Sequence, residues 1–386
     1  MLDVLAAFLV TRVTLIVVAA IAVSALPIST AIPLEWLRPG LNPIFESFSR
    51  WDSLHYLDIA WGGYRVSDTS SPAFFPLFPM VVRTVGEITR FADPPGLYAM
   101  AVVVANVALF VAAVELVQLA RLDFDDATAS RAGWYLMVFP TSFFLSAAYG
   151  ESLFLALSLG SVLACRRGLW WQAGLLGGLA AITRPFGWLI LVPLLIEAWQ
   201  QRGERAWWRM GLAMVPIPAA LLGYMAYLAY QFGDPLAFLN AQSDWDRSLM
   251  APWDTIGKFL EGPFELNSGP HSLVDFAFML LAAGLALASW KLLRRSYAAY
   301  FTALVVFPLL TGSLISFPRF VLTFFPMFLV MGIAGRWPTV DRAVMIVGMG
   351  VGALFMGLYA RWYWVARGPA GSREPLLGRL SPCWVA

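Results

Sequence analysis

Charged residues are scarce in this sequence of 386 residues: they make up 13% of the chain, whereas hydrophobic residues make up 60%. A soluble domain usually carries about 25% charged residues. The composition therefore excludes an ordinary water-soluble protein, because a chain this apolar needs lipid as part of its solvent. It predicts an all-α, polytopic membrane protein located in the cell membrane.

Cysteine and net charge are also low. The two cysteines, Cys165 and Cys383, lie far apart in the sequence, which excludes a disulfide framework. The formal net charge of +2 is too small to indicate a polyanionic partner, so no nucleic-acid binding is expected.

Signals for a metal or nucleotide cofactor are sparse. The two histidines, His55 and His271, are distant in sequence. Asp244-x-Asp246 has the spacing of an acidic pair that serves nucleotide-sugar sites, but it stands alone. No glycine-rich nucleotide loop follows a predicted strand. We therefore predict no cofactor and no metal site, and we leave a requirement for a divalent ion open.

Long apolar runs predict ten or eleven transmembrane helices in a single domain covering residues 1–386, since a spanning helix needs about 20 apolar residues. The runs lie at about 4–28, 96–120, 132–148, 150–165, 170–183, 186–200, 209–231, 273–293, 297–315, 319–335 and 343–365. Between 132 and 200 they form two tight pairs, broken at Tyr149-Gly150 and at Arg184-Pro185. These short pairs predict hairpins whose turns dip below the membrane surface.

Basic residues are concentrated in alternate loops, which should face the cytoplasm. They are Arg121, Arg131, Arg166, Arg167, Arg202, Arg205, Arg209, Lys291, Arg294, Arg295, Arg336 and Arg342. The long loops at about 29–95 and 232–272 then lie outside, and they hold many polar groups. Transporters tend to keep such groups at the membrane midplane. This distribution favours chemistry or binding at the outer surface.

The first outer loop contains a short helical pattern followed by an aromatic segment. Positions spaced i, i+3, i+4 and i+7 place one set of side chains on a common face: Asp52, His55, Tyr56 and Ile59. With Trp51 beside them, they predict an interfacial helix. Pro76 and Pro79 should prevent a long helix in the following segment, 74–79.

These residues resemble the signature of the glycosylphosphatidylinositol mannosyltransferase II family, and the chain resembles one of its prokaryotic relatives. The most specific part is Arg50-Trp51-Asp52-x-x-His55-Tyr56 with Gly63-Tyr64 and Ala73-Phe74-Phe75-Pro76-Leu77-Phe78-Pro79. Further matches follow in order at Tyr149-Gly150-Glu151-Ser152-Leu153-Phe154, Thr183-Arg184-Pro185-Phe186-Gly187, Ala241-Gln242-x-x-Trp245-x-Arg247 and Ser316-Phe317-Pro318-Arg319-Phe320. Gly150 departs from the family pattern, which usually has serine there.

The resemblance implies a GT-C type glycosyltransferase fold. It also implies transfer of mannose from a polyprenyl-phosphate-mannose donor to an acceptor on the outer face, with an acidic residue of the first outer loop as the catalytic group. Asp52 matches that position. Such a reaction needs a carboxylate to accept the proton of the attacking hydroxyl and cations to stabilise the leaving phosphate. Arg184 and Arg319, each beside a proline at an outer helix end, fit the second requirement.

Several candidate residues also have a simpler explanation. Asp52 could be an ordinary helix-start carboxylate paired with Arg50, and Arg184 and Arg319 could snorkel to the headgroups. Glu151 could cap its helix instead of orienting substrate or Asp52. His55 could be a packed interfacial residue, and Trp245 could anchor its loop in the interface instead of stacking on a sugar ring. The other residues predicted to bind or orient substrate are Trp51, Tyr56, Gln242 and Arg247.

The preferred hypothesis is an inverting mannosyltransferase with its site on the extracytoplasmic face. Its partners would be the lipid-linked donor, membrane lipid and an acceptor that the sequence does not identify, whether glycan, glycolipid or protein. Two alternatives stay open: a flippase or transporter of a lipid-linked sugar, and a non-catalytic membrane subunit of a glycosylation complex.

Overall fold

The structure, a computed structural model, describes residues 2–30, 32, 42–202, 207–245, 247–266 and 271–363. Arg205, Asp246, Cys383 and the tail after residue 363 lie outside these ranges. Within them the chain is helical, and the pairing of Glu265 with Ser272 is an isolated bridge outside any strand. The all-α class predicted from the sequence is confirmed.

The α-helices are numbered here in chain order. They are α1 Leu2–Ala25, α2 Pro43–Ser47, α3 Ser53–Gly62, α4 Leu77–Thr89, α5 Pro94–Ala120, α6 Asp126–Val138, α7 Glu151–Arg166, α8 Trp170–Ala181, α9 Leu191–Gln200, α10 Trp207–Met214, α11 Pro216–Phe232, α12 Ala237–Asn240, α13 Pro252–Leu260, α14 Leu273–Leu292, α15 Arg295–Leu309, α16 Phe317–Phe320, α17 Phe325–Ala334 and α18 Pro338–Ala360. Short 3-10 helices lie at Ser71–Ala73, Ser142–Leu145, Gly187–Ile190, Ala241–Trp245 and Val321–Thr323.

Five described helical segments are long and apolar enough to cross a membrane: α1, α5, α10 with α11, α14 and α18. A sixth is possible if Phe317–Thr323 and Phe325–Ala334, bent by 81°, count as one broken span. Each predicted apolar run does coincide with helix, but α6 to α9 and α15 contain only 10–16 residues each. Helix length therefore supports an integral membrane protein with fewer full spans than the ten or eleven predicted.

The helices of the interior pack closely where small residues face one another. A Cβ atom added to Gly174 of α8 would lie 1.6 Å from the carbonyl oxygen of Ala213 in α10. No side chain fits in that space, so the two backbones touch directly, as is common where membrane helices associate.

Arg12 lies inside the first apolar run and fastens it to the rest of the bundle. Its Nη2 donates to the carbonyl oxygen of Met137 at 2.7 Å, and its Nη1 donates to the carbonyl oxygen of Ser142 at 3.0 Å. A further bond of 3.0 Å reaches the Ser146 hydroxyl. The charge is thus satisfied by buried partners rather than by snorkelling, and α1 is held against the break that follows α6.

The first outer loop differs from its predicted form in two respects. Residues 53–60 of α3 are all buried, so this helix lies beneath other segments instead of on a lipid surface. The next helix, α4, begins at Leu77 and includes Pro79, so that proline does not end it. Pro79 lies in the first helical turn, where its missing N–H would have had no acceptor. In the described part of the first outer loop, α4 presents an apolar surface, with Met80 and Ile88 exposed.

Candidate active site

Two residues far apart in sequence meet at the start of α3. The Nη1 atom of Arg319, in α16, donates to Oδ2 of Asp52 at 2.6 Å. The Asp52 side chain is 17% exposed and that of Arg319 is 8% exposed. Arg50, two positions before Asp52, binds Glu46 at 2.5 Å and the carbonyl oxygen of Ala360 at 3.0 Å. The pair therefore joins the first outer loop to the break before α17.

Glu151 extends this pair into a chain of alternating charges. It is fully buried at the first position of α7, and Nη1 of Arg184 lies 2.5 Å from its Oε1. Nε of Arg319 lies 3.3 Å from the same oxygen, at ion-pair distance but without the alignment of a hydrogen bond. Two arginines thus share one buried carboxylate. Glu151 therefore lies within ion-pair distance of both cations, in addition to its place at the start of a helix.

The backbone on both sides of the Asp52–Arg319 pair is strained. Trp51 has a φ of 55° and Ser316 a φ of 71°, although neither is glycine. Such left-handed conformations cost roughly 1–3 kcal/mol each and persist only where surrounding contacts enforce them. Strain of this kind is concentrated at functional sites in proteins, and here it lies immediately before Asp52 and three residues before Arg319.

A cavity of about 110 Å³ opens beside the pair. The predicted residues that line it are Asp52, Tyr56, Arg184, Gln242, Trp245, Arg247 and Arg319. Three guanidinium groups thus face the space with one carboxylate, an arrangement that suits a small anion. Trp51, His55 and Glu151, which the sequence also singled out, do not line it.

Aromatic rings hold the three guanidinium groups in place. The Arg319 guanidinium lies 5.2 Å from the Tyr149 ring centroid, and that of Arg184 lies 5.1 Å from the Phe186 centroid. Phe320 is within 5.6 Å of all three guanidinium groups. Cation–π contacts of this kind orient an arginine without neutralising its charge. Phe186 and Phe320 belong to the sequence motifs, but their pattern alone did not indicate this function.

The second outer loop closes the cavity from the opposite side. Arg247 donates from Nη1 to Oε1 of Gln242 at 2.9 Å and from Nη2 to the carbonyl oxygen of Ile315 at 3.2 Å. Trp245 packs its edge against Phe74, with ring centroids 5.5 Å apart. The contact between Phe74 and Trp245 thus brings together the two outer loops, which are far apart in sequence.

His55 and Trp51 pack behind the cavity wall. The imidazole of His55 stacks on Phe74 at 4.4 Å with an interplanar angle of 14°. Burial lowers the pKa of His55, so the ring is neutral near pH 7. Trp51 packs edge-on against Trp362, at a centroid distance of 5.6 Å. The stacking of His55 on Phe74 agrees with the packing alternative for that residue.

A second, larger cavity of about 740 Å³ lies between α3, α4 and α11. Its walls are mostly apolar and aromatic, and include Trp61, Tyr64, Tyr224 and Tyr227, with Arg83 as a charged residue. Met80 and Tyr227 are 59% and 40% exposed, so this second cavity is open on an apolar surface. We call it the groove. Ile182 lines this groove and Arg184, two residues later, lines the first cavity.

Among the described residues, no group of three or more histidine, cysteine, aspartate or glutamate side chains could hold a metal ion. In the described part of the chain, Asp52 is the one carboxylate among the residues that line the first cavity.

Comparison with known sequences finds a family model, "Mannosyltransferase (PIG-V)", that matches residues 3–201. GPI alpha-1,6-mannosyltransferase 2 of Mus musculus is 30% identical over 209 residues, which cover 48% of this chain and 42% of that protein. GPI mannosyltransferase 2 of Drosophila pseudoobscura pseudoobscura is 31% identical over 141 residues, 35% of this chain and 31% of that protein. The chain therefore spans less than half the length of these curated relatives.

Comparison with solved structures finds the Archaeoglobus fulgidus oligosaccharyltransferase in its apo form. The similarity covers 94% of this chain and 57% of that protein, with a TM-score of 0.47 and 12% sequence identity. The same archaeal enzyme in complex with an inhibitory peptide and a dolichol-phosphate gives a TM-score of 0.45 at 13% identity, over 94% of this chain and 56% of that one. Both scores are below 0.5, so we infer no shared function from them.

Proposed function

Because the chain belongs to the mannosyltransferase (PIG-V) family, we propose that it transfers mannose from a polyprenyl-phosphate-mannose donor to an acceptor at the outer face of the membrane. The observation that carries this proposal is the Asp52–Arg319 pair at the wall of a cavity that three guanidinium groups line. The family match covers residues 3–201, and so includes both Asp52 and Arg184. The acceptor, whether glycan, glycolipid or protein, is open.

The cations are suited to the leaving group. A polyprenyl phosphate carries one phosphate, and Arg184, Arg247 and Arg319 present planar donors that can bind its oxygens. Charge develops on the phosphate as the bond to the sugar breaks, and preorganised cations stabilise that charge most effectively in a site shielded from water. Phe186, Phe320 and the other aromatic walls provide this shielding.

Asp52 is suited to the role of base. It is more exposed than Glu151, Arg184 or Arg319, and it lies at the cavity wall. In the proposed step the acceptor hydroxyl gives its proton to Asp52 while its oxygen attacks the anomeric carbon. The bond from that carbon to the phosphate oxygen breaks, and its electron pair leaves with the polyprenyl phosphate. Attack from the face opposite the phosphate inverts the anomeric configuration.

A transfer assay distinguishes this function from transport. Purified protein in detergent micelles is incubated with radiolabelled polyprenyl-phosphate-mannose and an extract that contains acceptors. We expect label to leave the lipid and enter a product that mass spectrometry then identifies. Intact labelled lipid in the assay, together with its passage across the bilayer of reconstituted vesicles, would instead indicate a flippase.

The large groove is suited to the donor's hydrocarbon chain. It opens on an apolar surface, and Ile182, which lines it, lies two residues before Arg184, which lines the cation-lined cavity. In the proposed complex, a hydrocarbon chain in the groove would bring its phosphate toward that arginine. Binding of each additional methylene by an apolar wall contributes about 0.8 kcal/mol, so even a partly filled groove would add substantially to donor affinity.

A bulky side chain in the groove should therefore raise the KM for a donor with a long hydrocarbon chain more than the KM for a donor with a short one. Gly223 lines the groove, and a Cβ added there meets nothing within 4 Å. We expect Gly223→Phe to raise the KM for a long-chain donor about tenfold, equivalent to ~1.4 kcal/mol, and to leave the KM for a short-chain donor nearly unchanged. Gly284→Phe is the matched control, since Gly284 is an equally open helical glycine outside the groove. Equal effects on both donors would contradict this role for the groove.

The proposed side of the membrane is tested by reporter fusions. The distribution of arginine predicts that a reporter placed after Arg167 is cytoplasmic and that one inserted near Asp68 is external. Paired alkaline phosphatase and green fluorescent protein fusions at both positions would measure this. A cytoplasmic reporter at Asp68 would place the cavity on the opposite side and would overturn the outer-face proposal.

A further inference from the structure

Asp275 is a carboxylate that the proposed reaction does not use. It lies in the first turn of α14, an apolar helix long enough to span the membrane, and is 1% exposed. Its own N–H is capped by the Ser272 hydroxyl at 3.2 Å. A carboxylate that is buried at the end of an apolar span is costly unless it is hydrogen-bonded.

The Asp275 carboxylate binds the backbone of the turn that precedes Arg319. Its Oδ1 accepts a hydrogen bond from the N–H of Phe317 at 3.1 Å, and the N–H of Ser316 also faces it. Its Oδ2 is buried and has no hydrogen-bond partner among the residues that the structure describes. The side chain does not line either cavity.

The conformation of this turn explains why a hydrogen-bond acceptor is needed there. Ser316 is left-handed, with φ 71° and ψ 15°, and the helical residue Phe317 follows it. Alternation of left-handed and right-handed residues points successive N–H groups toward one point and forms a concave anion-binding nest. The Asp275 carboxylate occupies that position, and thereby favours a backbone conformation that serine rarely adopts.

The same turn determines the position of the Arg319 side chain. The N–H groups of Arg319 and Phe320 both donate to the carbonyl oxygen of Ser316, at 3.0 Å and 3.1 Å. Arg247 binds the carbonyl oxygen of Ile315 on the other side of the turn. A change at Ser316 would therefore move one cavity arginine directly and displace the anchor of a second.

We infer that Asp275 is a positioning residue, whose carboxylate holds the Ser316 turn in the left-handed conformation from which Arg319 reaches Asp52 and the donor phosphate. This inference rests on the proposed function for the identity of the donor. It assigns no contact between Asp275 and substrate.

The first test compares two substitutions of Asp275. Asp275→Asn keeps an oxygen that can accept from Phe317, so its kcat/KM for the donor should stay within about threefold of wild type. Asp275→Leu is similar in size but has no acceptor, and it should lower kcat/KM by about tenfold or more, mainly through donor KM. Wild-type donor kinetics in folded Asp275→Leu protein would overturn the inference.

A second substitution separates positioning from general stability. Glycine adopts positive φ without steric cost, so Ser316→Gly should restore most of the activity of Asp275→Leu. Met279→Ala, another buried change in α14, is the control and should not be rescued by Ser316→Gly. If Asp275→Leu does not accumulate as folded protein, the Asp275→Leu/Ser316→Gly double variant should do so. Failure of glycine to rescue either activity or accumulation would contradict the inference.

A double-variant comparison tests whether Asp275 acts through Arg319 or independently of it. If Asp275 acts through Arg319, the loss from Asp275→Leu should nearly vanish in an Arg319→Lys background, whereas independent effects would multiply. Binding of polyprenyl phosphate alone, followed by tryptophan fluorescence, repeats the comparison without catalysis. Lack of transfer by the wild-type protein would refute the proposed function, while additive losses in the binding assay would refute the positioning by Asp275.

Discussion

Replacement of Asp52 by asparagine is expected to lower mannose transfer by roughly 10²–10⁴-fold, the usual contribution of a general base. Asparagine preserves the size of the side chain and can still accept a hydrogen bond from Arg319, which lies 2.6 Å from Oδ2. It cannot accept the proton of the attacking hydroxyl. Initial rates with saturating labelled donor, together with thermal unfolding in detergent, measure the effect and confirm that the variant is folded.

Two companion variants define the cause of that loss. Asp254→Asn removes an exposed carboxylate from the second outer loop and should leave the rate unchanged. Asp52→Glu keeps the charge but shifts it by one methylene, so it should recover little, since small misplacements disrupt the geometry of attack. Near-normal turnover by the Asp52→Asn enzyme would remove Asp52 from the catalytic role.

Arg319→Lys is expected to weaken use of the lipid donor by about 1.5–3 kcal/mol, or roughly 10- to 150-fold in kcat/KM, the range for a lost charged hydrogen bond. Arg319 serves Asp52 at 2.6 Å and Glu151 at 3.3 Å, and in the proposed complex the phosphate as well. Lysine supplies a single point charge and cannot reproduce this planar set of donors. Donor KM and kcat, determined separately, are the measurements.

Arg319→Ala is less informative, because it leaves two carboxylates short of a buried partner. Removal of one member of a buried ion pair costs about 3–5 kcal/mol of stability, and Glu151 would depend on Arg184 alone among its ion-pair contacts. Arg90→Lys, at an exposed arginine that ends α4, is a better control for the lysine variant. Identical donor kinetics for Arg319→Lys, Arg90→Lys and wild type would exclude a phosphate contact by Arg319.

Part of the cavity could be predicted from the sequence. Asp52 was indicated by the resemblance of the first outer loop to a known family, and Arg184 and Arg319 by their positions beside prolines at the ends of apolar runs. Their exact pairing was not predictable. Arg50 is two positions before Asp52 in sequence, yet it binds Glu46, and the arginine that binds Asp52 lies 267 positions away.

Other parts of the site give little signal in a single sequence. Phe320 contacts three guanidinium groups, but one phenylalanine among 28 has no distinguishing pattern. Asp275 had a usable signal, since it is a lone carboxylate near the start of an apolar run. The burial of α3 also could not be read from its residues, because what covers a helix depends on distant segments of the chain.

The number of full membrane spans also could not be predicted from hydropathy. Apolar runs identified where helices form, but a run does not specify whether its helix continues unbroken. Around Tyr149-Gly150 and Phe324, short 3-10 segments and prolines interrupt the chain, and the resulting helices are shorter than a full span. The interruptions place Glu151 and Arg319 at helix ends, where they meet beside the cavity.

The most direct test of the central claim is the anomeric configuration of the product, determined by nuclear magnetic resonance after transfer from a donor in which ¹³C-labelled mannose is β-linked to the phosphate. Direct attack by an acceptor hydroxyl, with Asp52 as base and Arg319 on the leaving phosphate, predicts an α-mannoside from the wild-type protein and almost none from Asp52→Asn. A β-mannoside, or equal product from both proteins, would contradict this mechanism.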